Sequence, residues 1–262
     1  MILLHDGAWG GSSLVSWAGC IDRLATRFRV ILPDFLGFGA SDKLTYFDRA
    51  QFEPRVTQIE DVVHALGIEE PVHVVGTSFG GSVALRLAAQ SAIPLLSATS
   101  IGGPGGFART PLMNEELSHW DGTRYDLARV LRLLMDGEDF AAQLDSRFSS
   151  ASVAGHYRAV ASASLPIPEA LRARSAIEPD PWPAQLGECS VPINLIRGER
   201  DQLLEPDWAD RIASIAPQTE IVVMDALHSP NLDHPHEIVD VLESLLADRG
   251  GEPDKASRGS SA

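Results

Sequence analysis

The segment His73–Leu85, reading HVVGTSFGGSVAL, constrains the fold more than any other stretch of the 262 residues. An apolar β-type run meets an apolar helical run across Gly76-Thr77-Ser78-Phe79-Gly80-Gly81. Such a junction requires a very sharp strand-to-helix turn that lifts Ser78 above the end of its strand. Small residues two before and two after the serine let the backbone and a neighbouring strand approach closely. The first amides of the new helix, that of Phe79 included, then point to where an oxyanion would form. A phosphate-binding loop needs G-x-x-x-x-G-K-[ST] or G-x-G-x-x-G, and neither occurs in this turn.

Around this turn, short apolar runs alternate with helical patterns. Ile2–Leu4, Val30–Leu32, Val72–Val75, Leu95–Ile101, Ile193–Ile196 and Ile221–Met224 read as strands. Most lack a polar face, as befits strands buried on both sides of a parallel sheet. Leu14–Arg27, Phe52–Leu66, Ser82–Gln90, Asp207–Ala216 and His236–Leu246 carry helical spacing or start signals. The alternation predicts an open α/β sheet with helices on both faces and ligands at the carboxyl ends of the strands.

A serine hydroxyl needs a base to take its proton, and the base needs a carboxylate to orient it. Asp201 follows the run Ile193–Ile196, and His228 follows Ile221–Met224. Ser78, Asp201 and His228 therefore fall at three strand ends, in the chain order Ser, Asp, His. Glu199 and Glu205 are the alternatives for the acid, lying nearer the strand and in the next helix. The second oxyanion donor is expected in the Gly-rich loop His5-Asp6-Gly7-Ala8-Trp9-Gly10-Gly11, from Gly7 first and Ala8 second.

The rhythm breaks over residues 107–183, where helical patterns (Asp126–Met135, Phe140–Phe148, Ala154–Ala163, Pro168–Ala176) run without a strand into Pro179-Asp180-Pro181-Trp182-Pro183. This stretch reads as a helical lid inserted into a core made of residues 1–106 and 184–248, and 249–262 as a disordered tail. Trp9 and Phe107 are candidates to line a pocket beneath the lid.

Acidic residues outnumber basic ones 36 to 21, and only two of the basic residues are lysines. That balance excludes the cationic face that nucleic acid or an anionic membrane requires. Cys20 and Cys189 lie far apart and outside any metal-ligand spacing, and are read as two buried thiols. The pair His234-x-His236 has no third ligand nearby and reads as surface histidines at a helix start. A cytoplasmic enzyme that uses no metal or cofactor is the expectation.

With these motifs together, the chain resembles the α/β-hydrolase-fold serine hydrolases over residues 1–248. Pro33-Asp34-Phe35-Leu36-Gly37-Phe38-Gly39-Ala40-Ser41-Asp42, Gly198-Glu199-Arg200-Asp201 and His228-Ser229-Pro230 with His234-Pro235 are similar to that fold's other loops. Ser78 stands where an epoxide hydrolase or haloalkane dehalogenase would carry Asp. Ile101-Gly102-Gly103-Pro104-Gly105-Gly106-Phe107, leading into a lid, is most similar to the meta-cleavage-product hydrolases, which split a carbon–carbon bond in dienoic keto acids. That resemblance implies an Asn before the nucleophile, where this chain has Thr77. It implies a Trp after the catalytic His, where Ser229 stands, and a further Asn near Ser16. It also implies a lid arginine gripping the substrate's acid end, for which Arg158, Arg172 and Arg174 are the counterparts.

The expected activity is therefore hydrolysis of a small to medium, largely apolar carbonyl substrate. Ester or lactone cleavage is the alternative to carbon–carbon cleavage, and a non-catalytic ligand-binding protein on the same fold is the further one. The resemblance also implies a β-hairpin ahead of the first strand. This chain starts directly on that strand, so Val30–Leu32 is expected at a sheet edge, covered by a partner chain such as a second copy, by another segment, or by residues upstream.

Overall fold

A computed structural model describes residues 1–46, 51–90, 92–161, 169 and 180–247. Its strands are β1 (Ile2–Leu4), β2 (Val72–Thr77), β3 (Leu95–Ile101), β4 (Ile193–Gly198) and β5 (Thr219–Met224). Its helices are α1 (Ser13–Leu24), α2 (Glu53–Ala65), α3 (Phe79–Gln90), α4 (Pro111–Leu117), α5 (Arg124–Leu134), α6 (Phe140–Ala151), α7 (His156–Val160), α8 (Trp208–Ile215), α9 (Pro230–Asp233) and α10 (Pro235–Leu246).

The strands form one parallel sheet in the order β1-β2-β3-β4-β5. In β1, Leu3 enters one apolar cluster while Ile2 and Leu4 enter the opposite one, the two-residue period of a strand covered on both faces. Trp17 and Leu24 of α1, with Ile238 and Leu242 of α10, cover the Leu3 face. Val56 and Ile59 of α2, with Val83 and Leu87 of α3, cover the other. Trp208 and Ile212 of α8 extend that second layer over Ile193 and Leu195.

The expected strand at Val30–Leu32 contracts to a single bridge. Leu3 N–H donates to Ile31 O at 2.9 Å, Ile31 N–H donates to Met1 O at 3.0 Å, and Ile31 pairs with Ile2. The segment lies outside β1, and among the described residues no strand pairs with its far side. The chain thus runs outward from β1 to Ile31 and returns across to β2 on the other side of β1. Loops leaving β1 and β2 part at this reversal, which opens a crevice at their carboxyl ends.

Between β3 and β4 the helices α4 to α7 build their own apolar cluster, with Leu127, Val130, Leu131 and Leu144 packed on Trp9 and Leu232 of the core. Helix α4 was not among the sequence expectations. It is short and starts where Pro111 follows Thr110, whose hydroxyl accepts from Met113 N–H at 3.3 Å. Of the helix expected over Ala154–Ala163, the described residues form His156–Val160, after Gly155 at φ 88°, and residues 162 and 163 lie outside them. The helix expected over Pro168–Ala176 and the tail 249–262 lie outside the described residues, apart from residue 169.

Candidate active site

The turn after β2 holds Ser78 at φ 53°, a left-handed conformation that a side chain rarely adopts. Its flanking glycines are required by contact. A Cβ on Gly76 would lie 2.1 Å from Gly80 O, and one on Gly80 would lie 2.5 Å from both Leu4 O and His5 O. The helix start can therefore sit against the end of β1 only with no side chain at position 80. Ser78 N–H donates to Ile101 O at 2.6 Å, which ties the turn to the end of β3.

The structure brings the three strand-end residues together. His228 Nε2 lies 2.8 Å from Ser78 Oγ, and His228 Nδ1 lies 2.8 Å from Asp201 Oδ2. The imidazole is fully buried and the Asp201 side chain is 4% exposed. Asp201 Oδ1 accepts the N–H of Leu203 at 2.8 Å, so both carboxylate oxygens are occupied and the group is fixed. An ionised carboxylate only accepts, so Nδ1–H donates to Asp201 and Nε2 is left to accept the Ser78 hydroxyl. Of the alternative acids, Glu199 is exposed at the surface and Glu205 pairs with Arg211.

Gly7 and Phe79 meet above Ser78. A Cβ on Gly7 would lie 2.8 Å from the Phe79 Cβ, and neither residue's amide N–H donates to any described group. Ala8 N–H, by contrast, donates to Asp6 Oδ1 at 3.0 Å and is used up. Gly7, Phe79 and Ser78 face a cavity of about 390 Å³ whose other walls include Trp9, Met113, Leu117, Leu134 and Val160. Those apolar walls come from α4, α5 and α7 as well as from the core. Arg109 is the one charged side chain lining it among the described residues, and its guanidinium has no hydrogen-bond or ionic partner there. Arg109 is also exposed to solvent.

Of the residues expected in the pocket, Ala8 and Trp9 line the cavity, and the structure places three others elsewhere. Phe107 packs in the cluster of Leu204 and Trp208, with the Arg211 guanidinium 4.7 Å from its ring centroid. It leaves the end of β3 toward α8 instead of the crevice. Arg158 lies on the exposed face of α7. Thr77 is fully buried behind Ser78 and donates its hydroxyl to Asn231 Oδ1 at 2.8 Å. Arg172 and Arg174 lie outside the described residues.

Thr77 begins a buried polar network that the sequence did not disclose. Asn231 Nδ2 donates to Ser16 O at 2.8 Å, and Ser16 Oγ donates to Asp6 Oδ2 at 2.7 Å. Asp6 then pairs with Arg147 of α6, Nη1 to Oδ1 at 3.0 Å and Nη2 to Oδ2 at 2.7 Å. Burial alone would raise the Asp6 carboxyl, but the Arg147 guanidinium and the Ser16 hydroxyl override it and hold the group well below the usual carboxylate range. His156 of α7 accepts Gly10 N–H at Nε2 (3.0 Å), with Nδ1 3.1 Å from Gly37 O. Burial pushes this imidazole down to about 4. His5 behaves alike: burial lowers its pKa, Phe35 N–H donates to its Nε2 at 2.9 Å, and its Nδ1 lies 2.6 Å from Asp6 O. The serine at 229, expected from the resemblance to be a Trp, is buried against α5, its N–H donating to Leu134 O at 3.0 Å.

Cys20 is buried as expected, which raises its thiol to about 12, whereas Cys189 is only half-buried, with its thiol raised by the partial burial. Among the described residues no cluster of three or more His, Cys, Asp or Glu side chains is placed to hold a metal ion, and no helix is long and apolar enough to cross a membrane.

Comparison with known proteins gives the same fold. The chain is 24% identical over 257 residues to the 2-hydroxy-6-oxo-6-(2'-aminophenyl)hexa-2,4-dienoic acid hydrolase of Metapseudomonas resinovorans, covering 95% of this chain and 84% of that protein. The meta-cleavage product hydrolase of Pseudomonas fluorescens IP01 superposes with a TM-score of 0.79 at 21% identity, over 95% of this chain and 90% of the other. A carboxylesterase of Bacillus subtilis superposes with a TM-score of 0.75 at 20% identity, over 94% and 83%. These two likenesses concern the fold. The family model described as the alpha/beta hydrolase family matches residues 1–241, and the chain belongs to that family.

Proposed function

We propose that this chain is a serine hydrolase in which Ser78 is the nucleophile, His228 the general acid and base, and Asp201 the group that fixes the imidazole tautomer. The observation that carries the proposal is the continuous hydrogen-bonded line from Asp201 through His228 to Ser78, which lines a cavity. In the ester route Ser78 Oγ attacks the carbonyl carbon while Nε2 takes its proton. The carbonyl oxygen becomes an oxyanion that accepts from the amides of Gly7 and Phe79. Collapse expels the leaving alkoxide, which receives the proton from Nε2. Water, activated by the same imidazole, then releases the acid. Every proton and charge in this route is handled by the chain's own groups.

The insertion over residues 107–183 is proposed as the lid over this cavity, and its apolar wall suits a small to medium, largely apolar carbonyl substrate. Cleavage of a carbon–carbon bond in a dienoic keto acid is the favoured reading, with ester hydrolysis second. The relative from Metapseudomonas resinovorans supports the first, and so does Arg109, a solvent-exposed cation on the cavity wall that would meet a carboxylate. The carboxylesterase likeness supports the second.

The experiment is a fluorophosphonate labelling of the folded protein, paired with turnover of a short p-nitrophenyl ester and decay of a coloured dienoic keto acid. Labelling at Ser78, lost in Ser78→Ala together with turnover, is the expected result. Absence of labelling in wild type would favour a ligand-binding protein. The ratio of the two turnover rates decides between the substrates.

A further inference from the structure

We infer that the buried Asp6–Arg147 pair is a positioning device by which helix α6 of the insertion sets the Gly7 amide against that of Phe79. The inference rests on the reading of Gly7 and Phe79 as oxyanion donors. It adds that the insertion completes this pair of donors as well as covering the cavity.

Asp6 immediately precedes Gly7, and its carboxylate is saturated. Oδ1 accepts from Ala8 N–H and Arg147 Nη1, and Oδ2 from Ser16 Oγ and Arg147 Nη2. Each partner belongs to a different part of the fold: the loop itself, α1 and α6. The carboxylate thereby engages the Ala8 amide and leaves Gly7 N–H with no acceptor among the described residues. Two residues on, Gly10 N–H is held by His156 of α7, and a Cβ at Gly10 would stand 2.0 Å from Arg147 O. The side chain of Asp6 and the amides of Ala8 and Gly10 are thus anchored to neighbours, while Gly7, Ala8 and Trp9 line the cavity.

Both side chains are 1% exposed, and Arg147 does not line the cavity, so the pair is no substrate ligand. Nor is it an efficient source of stability. The Arg147 Nε–H is buried without a partner, and a buried ion pair replaced by apolar side chains often leaves a fold as stable as before. What four converging hydrogen bonds do provide is a fixed direction for the adjoining peptide, and an oxyanion site depends on donors already in place before the charge develops.

The test uses the full chain and a fluorophosphonate probe, whose reaction joins Ser78 Oγ to phosphorus, expels fluoride and leaves the serine proton on His228. It places negative charge on the phosphoryl oxygen and needs no knowledge of the natural substrate. Arg147→Met and Ser16→Ala are compared with wild type for labelling rate and for affinity toward phenylboronic acid, which forms a tetrahedral adduct on a serine. Thermal melting and far-UV circular dichroism establish that each variant is folded. We expect Arg147→Met to label at least about tenfold more slowly and to lose boronate affinity by a similar factor, with Ser16→Ala about threefold down in both. A purely structural role would lower the melting temperature and leave both readouts of the folded protein unchanged. Folded Arg147→Met within twofold of wild type in both would overturn the inference. Should Arg147→Met not fold, wild-type rates in Ser16→Ala and Arg147→Lys would overturn it equally. Wild type that neither labels nor binds boronate would instead refute the oxyanion reading beneath it, and the inference with it.

Discussion

Gly7 and Phe79 stand so close that a single added carbon on the glycine would lie 2.8 Å from the phenylalanine Cβ. Phe79 cannot yield easily, because its ring stacks on Phe52 at 5.2 Å and meets Phe35 edge-on at 5.6 Å. Gly7→Ala should therefore push its own loop outward and carry the Gly7 amide off target. Loss of one oxyanion donor costs about 10²–10³ in kcat. The expected outcome is a fall of about 100-fold in kcat on a p-nitrophenyl ester with KM changed little, read by steady-state kinetics.

Asp201→Asn keeps the shape of the acid but can present an N–H to His228 Nδ1 in place of a lone pair. The imidazole would then turn its proton toward Ser78 and lose the ability to accept from it. A fall of about 10³–10⁴ in kcat is expected near neutral pH, with the fold and the melting temperature retained. Activity in this variant comparable to wild type would remove Asp201 from the line.

His156 gives the protein a pH-dependent stability. In the unfolded chain a histidine titrates near 6.5, whereas in the fold its pKa is down to about 4. Between those values the unfolded state binds the proton and the folded state does not, so stability falls as pH drops through this window and levels off below it. The size is on the order of 3 kcal/mol for this group. His5, also lowered by burial, acts in the same direction. Urea unfolding at pH 7 and pH 4.5 should show the loss, and His156→Gln, which keeps an acceptor for Gly10 N–H, should flatten part of the slope.

Arg109 offers a test of substrate charge. Arg109→Met should leave kcat/KM on p-nitrophenyl butyrate within twofold of wild type and lower it about tenfold, through KM, on the p-nitrophenyl hemi-ester of glutaric acid. The size follows from loss of one charge-assisted hydrogen bond. Equal effects on both substrates would show that Arg109 shapes the cavity without reading charge.

The sheet and the line of three side chains were legible because each rests on local signals. The apolar runs Ile2–Leu4 and Leu95–Ile101 coincide with β1 and β3, and the glycines around Ser78 announce a turn that admits no side chain. Asp201 and His228 were found from their offset past a strand end. What stayed hidden depends on contacts between distant parts of the chain. Arg147 sits in a helix with ordinary spacing, and only its meeting with Asp6, 141 residues away, gives it meaning. Phe107 lies away from the cavity because a position after a strand end does not fix which way the chain leaves the sheet. Asp6 does carry a local signal, as an acidic residue inside an apolar strand-to-loop junction, where an unpaired charge could not be buried.

Ser78, Asp201 and His228 leave β2, β4 and β5, so the outermost two are separated by three inter-strand steps, roughly 14 Å at about 4.8 Å each. The loop carrying His228 crosses that span over the end of β3, where a Cβ on Gly102 would come within 2.8 Å of His228 O. A parallel sheet also rotates by about 20–25° at every step. The 2.8 Å separation between His228 Nε2 and Ser78 Oγ thus depends on twist accumulated over the three steps from β2 to β5, of which the β3–β4 seam is the middle one. A substitution in that seam, such as one at Asn194, whose side chain donates to Thr99 at 3.0 Å, lies outside the cavity lining yet would change the angle at which base and nucleophile meet.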